Sequence, residues 1–177
     1  MNYVAATGAY GVLTDRDTFR IQRLLPGPIE RVWDYLMQSE LRRKWFAAGD
    51  MDMKVGAPLE LIWRNDELTC PPGERPEGIS AENRMQSRVL ELEPLRKLAI
   101  TWGSESSVSF ELEQQNSEVL LTIIHRKVPD RSSLLKFAPG WHAHLDVLAS
   151  ILANTVAQPF WDQVRRPKGE YAERLPN

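Results

Sequence analysis

Apolar and polar residues alternate through most of this chain, and near its end the period changes from two to between three and four. Trp141, Leu145, Leu148, Ile151, Leu152, Val156 and Phe160 fall on one stripe at helical spacing. That spacing predicts a helix over 139–165. Pro139 would sit in the first turn, where its missing N–H costs no helical bond. His142, Asp146 and Asn154 fall mainly off the stripe. Pro159 lies inside the pattern and predicts a break near Ala157 or Gln158.

Ahead of this helix the pattern predicts six strands. Residues 17–25 alternate, with Phe19, Ile21 and Leu25 opposite Thr18, Arg20 and Gln22. Pro26, Gly27 and Pro28 end that strand and open a helix whose apolar stripe is Ile29, Val32, Trp33 and Leu36. Ser39 is placed to cap a second short helix over 40–45, where Leu41 and Trp45 share a face. Strands resume at 57–64, with Leu59, Leu61 and Trp63 on one side. Residues 65–80, containing Pro71, Pro72, Gly73 and Pro76, form a long polar loop of the kind that serves as a lid, a binding arm or a mobile connection.

Further strands are predicted over 81–93, over 97–103 (Leu98, Ile100, Trp102), over 106–113 (Val108, Phe110, Leu112) and over 118–126. The last is apolar on both faces, with Val119, Leu121 and Ile123 on one and Leu120 and Ile124 on the other. Both faces are therefore expected to be covered. Short turns make neighbouring strands antiparallel. An amphipathic helix and a one-sided sheet satisfy each other when stacked. The expected fold is α+β: a curved antiparallel six-stranded sheet around a long C-terminal helix, with two short helices after the first strand. The expected organisation is a flexible arm over 1–16, one domain over 17–166 and a frayed tail over 167–177.

Composition narrows the function classes. A chain of 177 residues suits one domain with a sizeable core. A net charge of −2 disfavours binding to a polyanion or an anionic membrane. The short basic runs Arg42, Arg43, Lys44 and Arg165, Arg166 read as solvated helix faces rather than a nucleic-acid footprint. One cysteine, Cys70, excludes an internal disulfide and fits a reducing compartment. The first residues lack a signal-peptide pattern, and no stretch approaches the ~20 apolar residues of a membrane span. The expected location is the cytoplasm.

Several segments carry a family resemblance. Residues 28–33, Pro-Ile-Glu-Arg-Val-Trp, resemble the first-helix segment of the activator of heat-shock protein 90 ATPase homologue family. Residues 41–46, Leu-Arg-Arg-Lys-Trp-Phe, resemble its second-helix segment. Glu93 and Pro94 through Thr101 and Trp102, His125 at the end of the last strand, and Gly140-Trp141 with Leu145 and Leu148 complete the match over about 17–165. The chain departs from the family in its longer 65–80 loop and in lacking the Gly-Thr before the last strand. The family belongs to the START-like, or SRPBCC (Bet v 1-like, polyketide cyclase), helix-grip superfamily. The resemblance implies a helix-grip fold that holds an apolar ligand, such as a lipid, sterol or polyketide, between sheet and helix. In larger relatives it implies a co-chaperone domain.

The expected cavity lining is Leu61, Trp63, Trp102, Val108, Phe110, Trp141, His144, Leu145, Leu148 and Leu152. The expected activity is that of a carrier or sensor of a small apolar molecule, with no cofactor and no metal. The alternatives are a protein-interaction module, docking a chaperone or a second copy, and a cyclase- or hydrolase-type enzyme. His142 and His144, two apart on a helix, diverge too far to chelate one ion. His144 lies close to the apolar stripe and is a hydrogen-bonding candidate. Cys70 has no basic neighbour to activate it. Arg84, Gln86 and Arg88 alternate on one strand face, which reads as wet surface or as a greeting for an anionic head group. No Ser-His-Asp, HExxH or CxxC arrangement is present.

Overall fold

The alternating segments become seven strands: β1 (Val12–Asp15), β2 (Thr18–Pro26), β3 (Pro58–Trp63), β4 (Asn83–Glu93), β5 (Lys97–Trp102), β6 (Ser106–Gln115) and β7 (Glu118–Arg126). The computed structural model describes residues 9–177. The sheet runs in the order β1-β2-β7-β6-β5-β4-β3, with every neighbouring pair antiparallel. Strands β3 to β7 form a meander. Helices α1 (Ile29–Met37) and α2 (Ser39–Arg42) carry the chain from β2, next to one edge, across to β3 at the other. Inward-facing Phe19, Ile21, Leu59, Leu61, Val108, Phe110, Leu121 and Ile123 meet Val32 and Leu36 of α1 and the long helix α3 (Arg131–Leu152) in one core. The fold is the α+β helix-grip arrangement.

The strand count is seven rather than six because part of the expected arm is ordered. Residues 1–8 lie outside the described residues, but β1 pairs with β2 through Val12↔Arg20 and Leu13↔Phe19. Gly11 makes this approach possible. A Cβ there would come within 2.1 Å of the Phe19 ring. The expected tail is also structured. Residues 168–174 form α5, and Tyr171 and Leu175, four apart, are buried. Their two apolar side chains sit in an otherwise polar run, too sparse to show as a stripe. The ordered domain therefore extends beyond 17–166 at both ends.

The long helix begins eight residues earlier than the proline suggests. Asp130 caps it, accepting from the Ser133 N–H at 2.7 Å. Pro139 lies in its interior. The helix stops at Leu152, and Asn154 takes a left-handed conformation (φ 54°) that turns the chain away. Val156, expected on the stripe, is therefore 88% exposed. The break expected near Ala157 or Gln158 comes earlier, at Ala153, and Pro159 instead precedes α4 (Phe160–Arg165). Ser39 does not cap α2. Its Oγ accepts from the Gly49 N–H at 2.9 Å.

Arg42 is not on a solvated face. It is 3% exposed, and its guanidinium donates to the carbonyls of Leu36, Met37, Ala47 and Gly49, fastening the turn after α2 to the end of α1. Burial lowers its pKa to about 10, partly offset by Asp50. On the outer face of β7, Leu120 is buried and Ile124 half-buried, and Thr122 between them accepts from Gln22. Arg84, Gln86 and Arg88 are exposed, as a wet face requires. Arg84 pairs with Glu60 and Glu82. Among the described residues, no helix is long and apolar enough to cross a membrane.

Candidate functional site

Between the sheet and the first half of α3 lies an open cavity of about 280 Å³. Five aromatic rings line it: Phe46 from the turn after α2, Trp63 of β3, Trp102 of β5, and Phe137 and Trp141 of α3. The strand residues reach it because each faces inward near the end of its strand. The helix residues are four apart and share a face. Phe46 stacks on Trp141 at 5.1 Å, and Trp102 lies 5.3 Å from Trp141 and 5.6 Å from Trp63. Such an aromatic group contributes a large apolar surface of defined shape. Met85 adds a pliable side chain, and Gly140 leaves a notch in the helix wall. A Cβ built at Gly140 meets nothing within 4 Å outside its own helix.

Polar groups are few. Asn65, Asn83, Lys136 and His144 complete the lining. His144 is buried, with its Nδ1 2.7 Å from the carbonyl of Trp45. Burial lowers its pKa from 6.5 to about 4, opposed by that hydrogen bond, so the ring is neutral near pH 7. A second groove of about 600 Å³ adjoins the cavity, and Asn65, Lys136, Gly140 and His144 line both. The far wall of that groove includes Pro76 and Ile79 of the long loop with Phe160, Trp161 and Val164 of α4.

The loop is docked rather than loose. Trp161 donates from Nε1 to Asp66 and from its backbone N–H to Pro72 O, and Phe160 N–H donates to Thr69 Oγ1. Arg75 pairs with Asp66 at 2.6 Å, and Arg165 donates to Glu74 O.

Of the ten expected lining residues, Trp63, Trp102, Trp141 and His144 line this cavity. Leu61, Val108, Phe110, Leu145, Leu148 and Leu152 do not, being at most 2% exposed within the core. The second half of α3 packs directly on the sheet with α1, and its branched side chains fill the space. The cavity survives only where a glycine and splayed indole rings leave room. Phe137 and Lys136 were hidden from sequence reasoning by placing the helix start at Pro139. Phe46 was visible only as the aromatic partner of Trp45. Cys70 is exposed and lines neither space.

The other two histidines have structural partners. His125 Nδ1 accepts from Trp141 Nε1 at 3.2 Å, and its ring stacks on Phe137 at 4.6 Å. This bond holds Trp141 in the cavity wall. Indole N–H only donates, so the His125 proton sits on Nε2, which is buried without a hydrogen-bond partner among the described residues. Elsewhere, His142 lies between the Tyr171 hydroxyl at 2.9 Å and Asp146 at 3.5 Å, and Asp146 also pairs with fully buried Arg23 at 3.0 Å. Burial, aided by Arg23 and opposed by Asp146, lowers the His142 pKa to about 4. Burial also raises the Tyr171 pKa to about 12. The Tyr171 hydroxyl is a tether within this cluster. It also accepts from the Gly11 N–H at 2.9 Å, joining the N-terminal segment to α5. Among the described residues, no cluster of three metal-ligating side chains occurs. Among the described residues, no carboxylate is hydrogen-bonded to His144.

Known proteins share this fold. The family model described as activator of Hsp90 ATPase homolog 1-like protein matches residues 26–153. The solution structure of a protein from Bordetella parapertussis is 33% identical with a TM-score of 0.77, covering 100% of this chain and 97% of that one. The crystal structure of CalU16 from Micromonospora echinospora is 19% identical with a TM-score of 0.65, over 88% of this chain and 86% of that one. DynU16, from the dynemicin biosynthetic locus, is 18% identical with a TM-score of 0.64, over 81% of this chain and 50% of that one. The last two show likeness of fold alone. No curated protein matches the sequence.

Proposed function

The chain belongs to the activator of Hsp90 ATPase homolog 1-like family, and from that premise we propose that it binds a small apolar molecule in the aromatic cavity, as a carrier or sensor. The observation that carries this reading is the notch at Gly140. Five aromatic rings converge on a space that one missing side chain keeps open, next to buried His144. A wall filled for stability alone would place a larger residue there, since a helical glycine costs about 1 kcal/mol against alanine. At about 280 Å³ the cavity is at the low end for ligand sites. It suits a compact, flat molecule. A sterol or long acyl chain would have to extend into the adjoining groove.

The test is Gly140→Leu, whose side chain enters open space and occupies the cavity. Isothermal titration of native protein and variant against bicyclic aromatics, fatty acids and sterols should give binding of a flat aromatic by the native chain. The variant should lose that binding with its thermal midpoint maintained. Native protein that binds nothing in the panel, or a variant that binds as well as the native chain, refutes the cavity as the site.

A further inference from the structure

The cavity's hydrogen-bonding character is set by one carbonyl outside it. Trp45 O can only accept, so the His144 Nδ1 facing it at 2.7 Å must carry the proton. A neutral ring has one N–H, and Nε2 is therefore a bare lone pair. The side chain is 6% exposed overall and lines both the cavity and the adjoining groove. Nε2 has no partner among the described residues and is not among the sealed unpartnered atoms. It is an acceptor turned to the open space.

Asn65 adds a second acceptor, one sealed from the open space. Its residue lines both spaces, while its Oδ1 is buried without a partner among the described residues. Pro139, having no N–H, also leaves the Leu135 carbonyl without its helical donor, and Leu135 lines the adjoining groove. Buried acceptors without donors are costly, and a ligand that supplies the donor recovers that cost. Lys136, the one cation lining the cavity among the described residues, is exposed at the rim and is screened by solvent.

We propose that the ligand is a hydroxylated flat aromatic whose O–H donates to Nε2 of His144 while its rings lie among Phe46, Trp102 and Trp141. This rests on the cavity reading above and adds the class of ligand. Ethers of the same shape, and carboxylates that only accept, are disfavoured. They present lone pairs to lone pairs. His144 is thus the specificity-determining residue of the site.

The experiment compares 2-naphthol, 2-methoxynaphthalene and 2-naphthoate by titration calorimetry at neutral pH, with native protein and His144→Phe. The native chain should bind 2-naphthol roughly tenfold more tightly than either analogue. His144→Phe should bind 2-naphthol and 2-methoxynaphthalene about equally. Nitrogen-15 NMR of native protein gives a readout that needs no variant. The His144 Nε2 resonance should move on adding 2-naphthol and stay in place on adding 2-methoxynaphthalene. Equal affinity for the phenol and the ether in native protein, an unmoved Nε2 resonance, or a preference kept in His144→Phe overturns the inference while leaving the cavity as a binding site. Failure of all three compounds to bind overturns the inference and the cavity reading together.

Discussion

Acid should unfold this protein well above the pH at which its carboxylates protonate. All three histidines of the chain are buried, and burial is the leading cause that lowers each pKa from 6.5 to about 4. The folded-state values are depressed, so the unfolded chain binds more protons between pH 6.5 and 4. Stability is fully present above 6.5 and is lost as pH falls towards 4. Each histidine contributes a slope of about 1.4 kcal/mol per pH unit in that window, and the three together about 4. At pH 5 the loss is on the order of 6 kcal/mol, against a total of roughly 5–15 kcal/mol for an ordinary domain.

The assay is urea denaturation followed by tryptophan fluorescence at half-unit steps from pH 7.5 to 4.5. His125→Gln retains a possible acceptor for Trp141 Nε1 and removes one titrating group. It should flatten the slope by about one third. Stability that stays level from pH 7 to pH 5, or a slope indifferent to His125→Gln, would refute the claim that these rings are held neutral.

Other changes test separate parts of the fold. Gly140→Ala adds a methyl group to open space within a helix and should raise stability by roughly 0.5–1 kcal/mol in thermal unfolding; a decrease would mean that the notch is not open. Tyr171→Phe removes the partner of the Gly11 N–H and of His142, and should cost about 1–3 kcal/mol in urea denaturation, with faster amide exchange at Gly11. Unchanged exchange there would contradict the tether. Arg42→Lys retains charge but not the fork that reaches four carbonyls, and should cost roughly 1–3 kcal/mol; a neutral result would show those contacts to be dispensable.

What was legible in the sequence follows from how each element is stabilised. Strands such as β6 and β7 have one face in the core, so their alternation announced them, and Glu118–Arg126 matches its expected span. β1 is held largely by backbone pairing at a sheet edge, which leaves little periodic signal. The start of α3 was misplaced because a local rule about proline outweighed the weaker signal of Asp130 and the apolar positions Leu134 and Ala138. The cavity was misplaced for a different reason. Alternation tells which side chains face inward, but not which of them touch. Leu145 and Leu148 face inward and meet other side chains, whereas Trp141, one turn earlier, borders open space. Arg42 read as surface because its composition is charged. Its four acceptors are carbonyls, which no residue type reveals.

The pairing of β2 with β7 has a consequence for the order in which the molecule is assembled. Gln22 meets Thr122 across the sheet, 100 positions away, while β3 to β7 each pair with a sequence neighbour. The meander can nucleate through short loop closures, but β2, paired with β1 on one side, has no strand on its other side until β7 has been made. On the ribosome the segment carrying Phe19, Ile21 and Leu25 must therefore wait, with its β7-facing edge unpaired, for most of the chain to be synthesised. Its greasy edge is the part of the nascent polypeptide most in need of shielding.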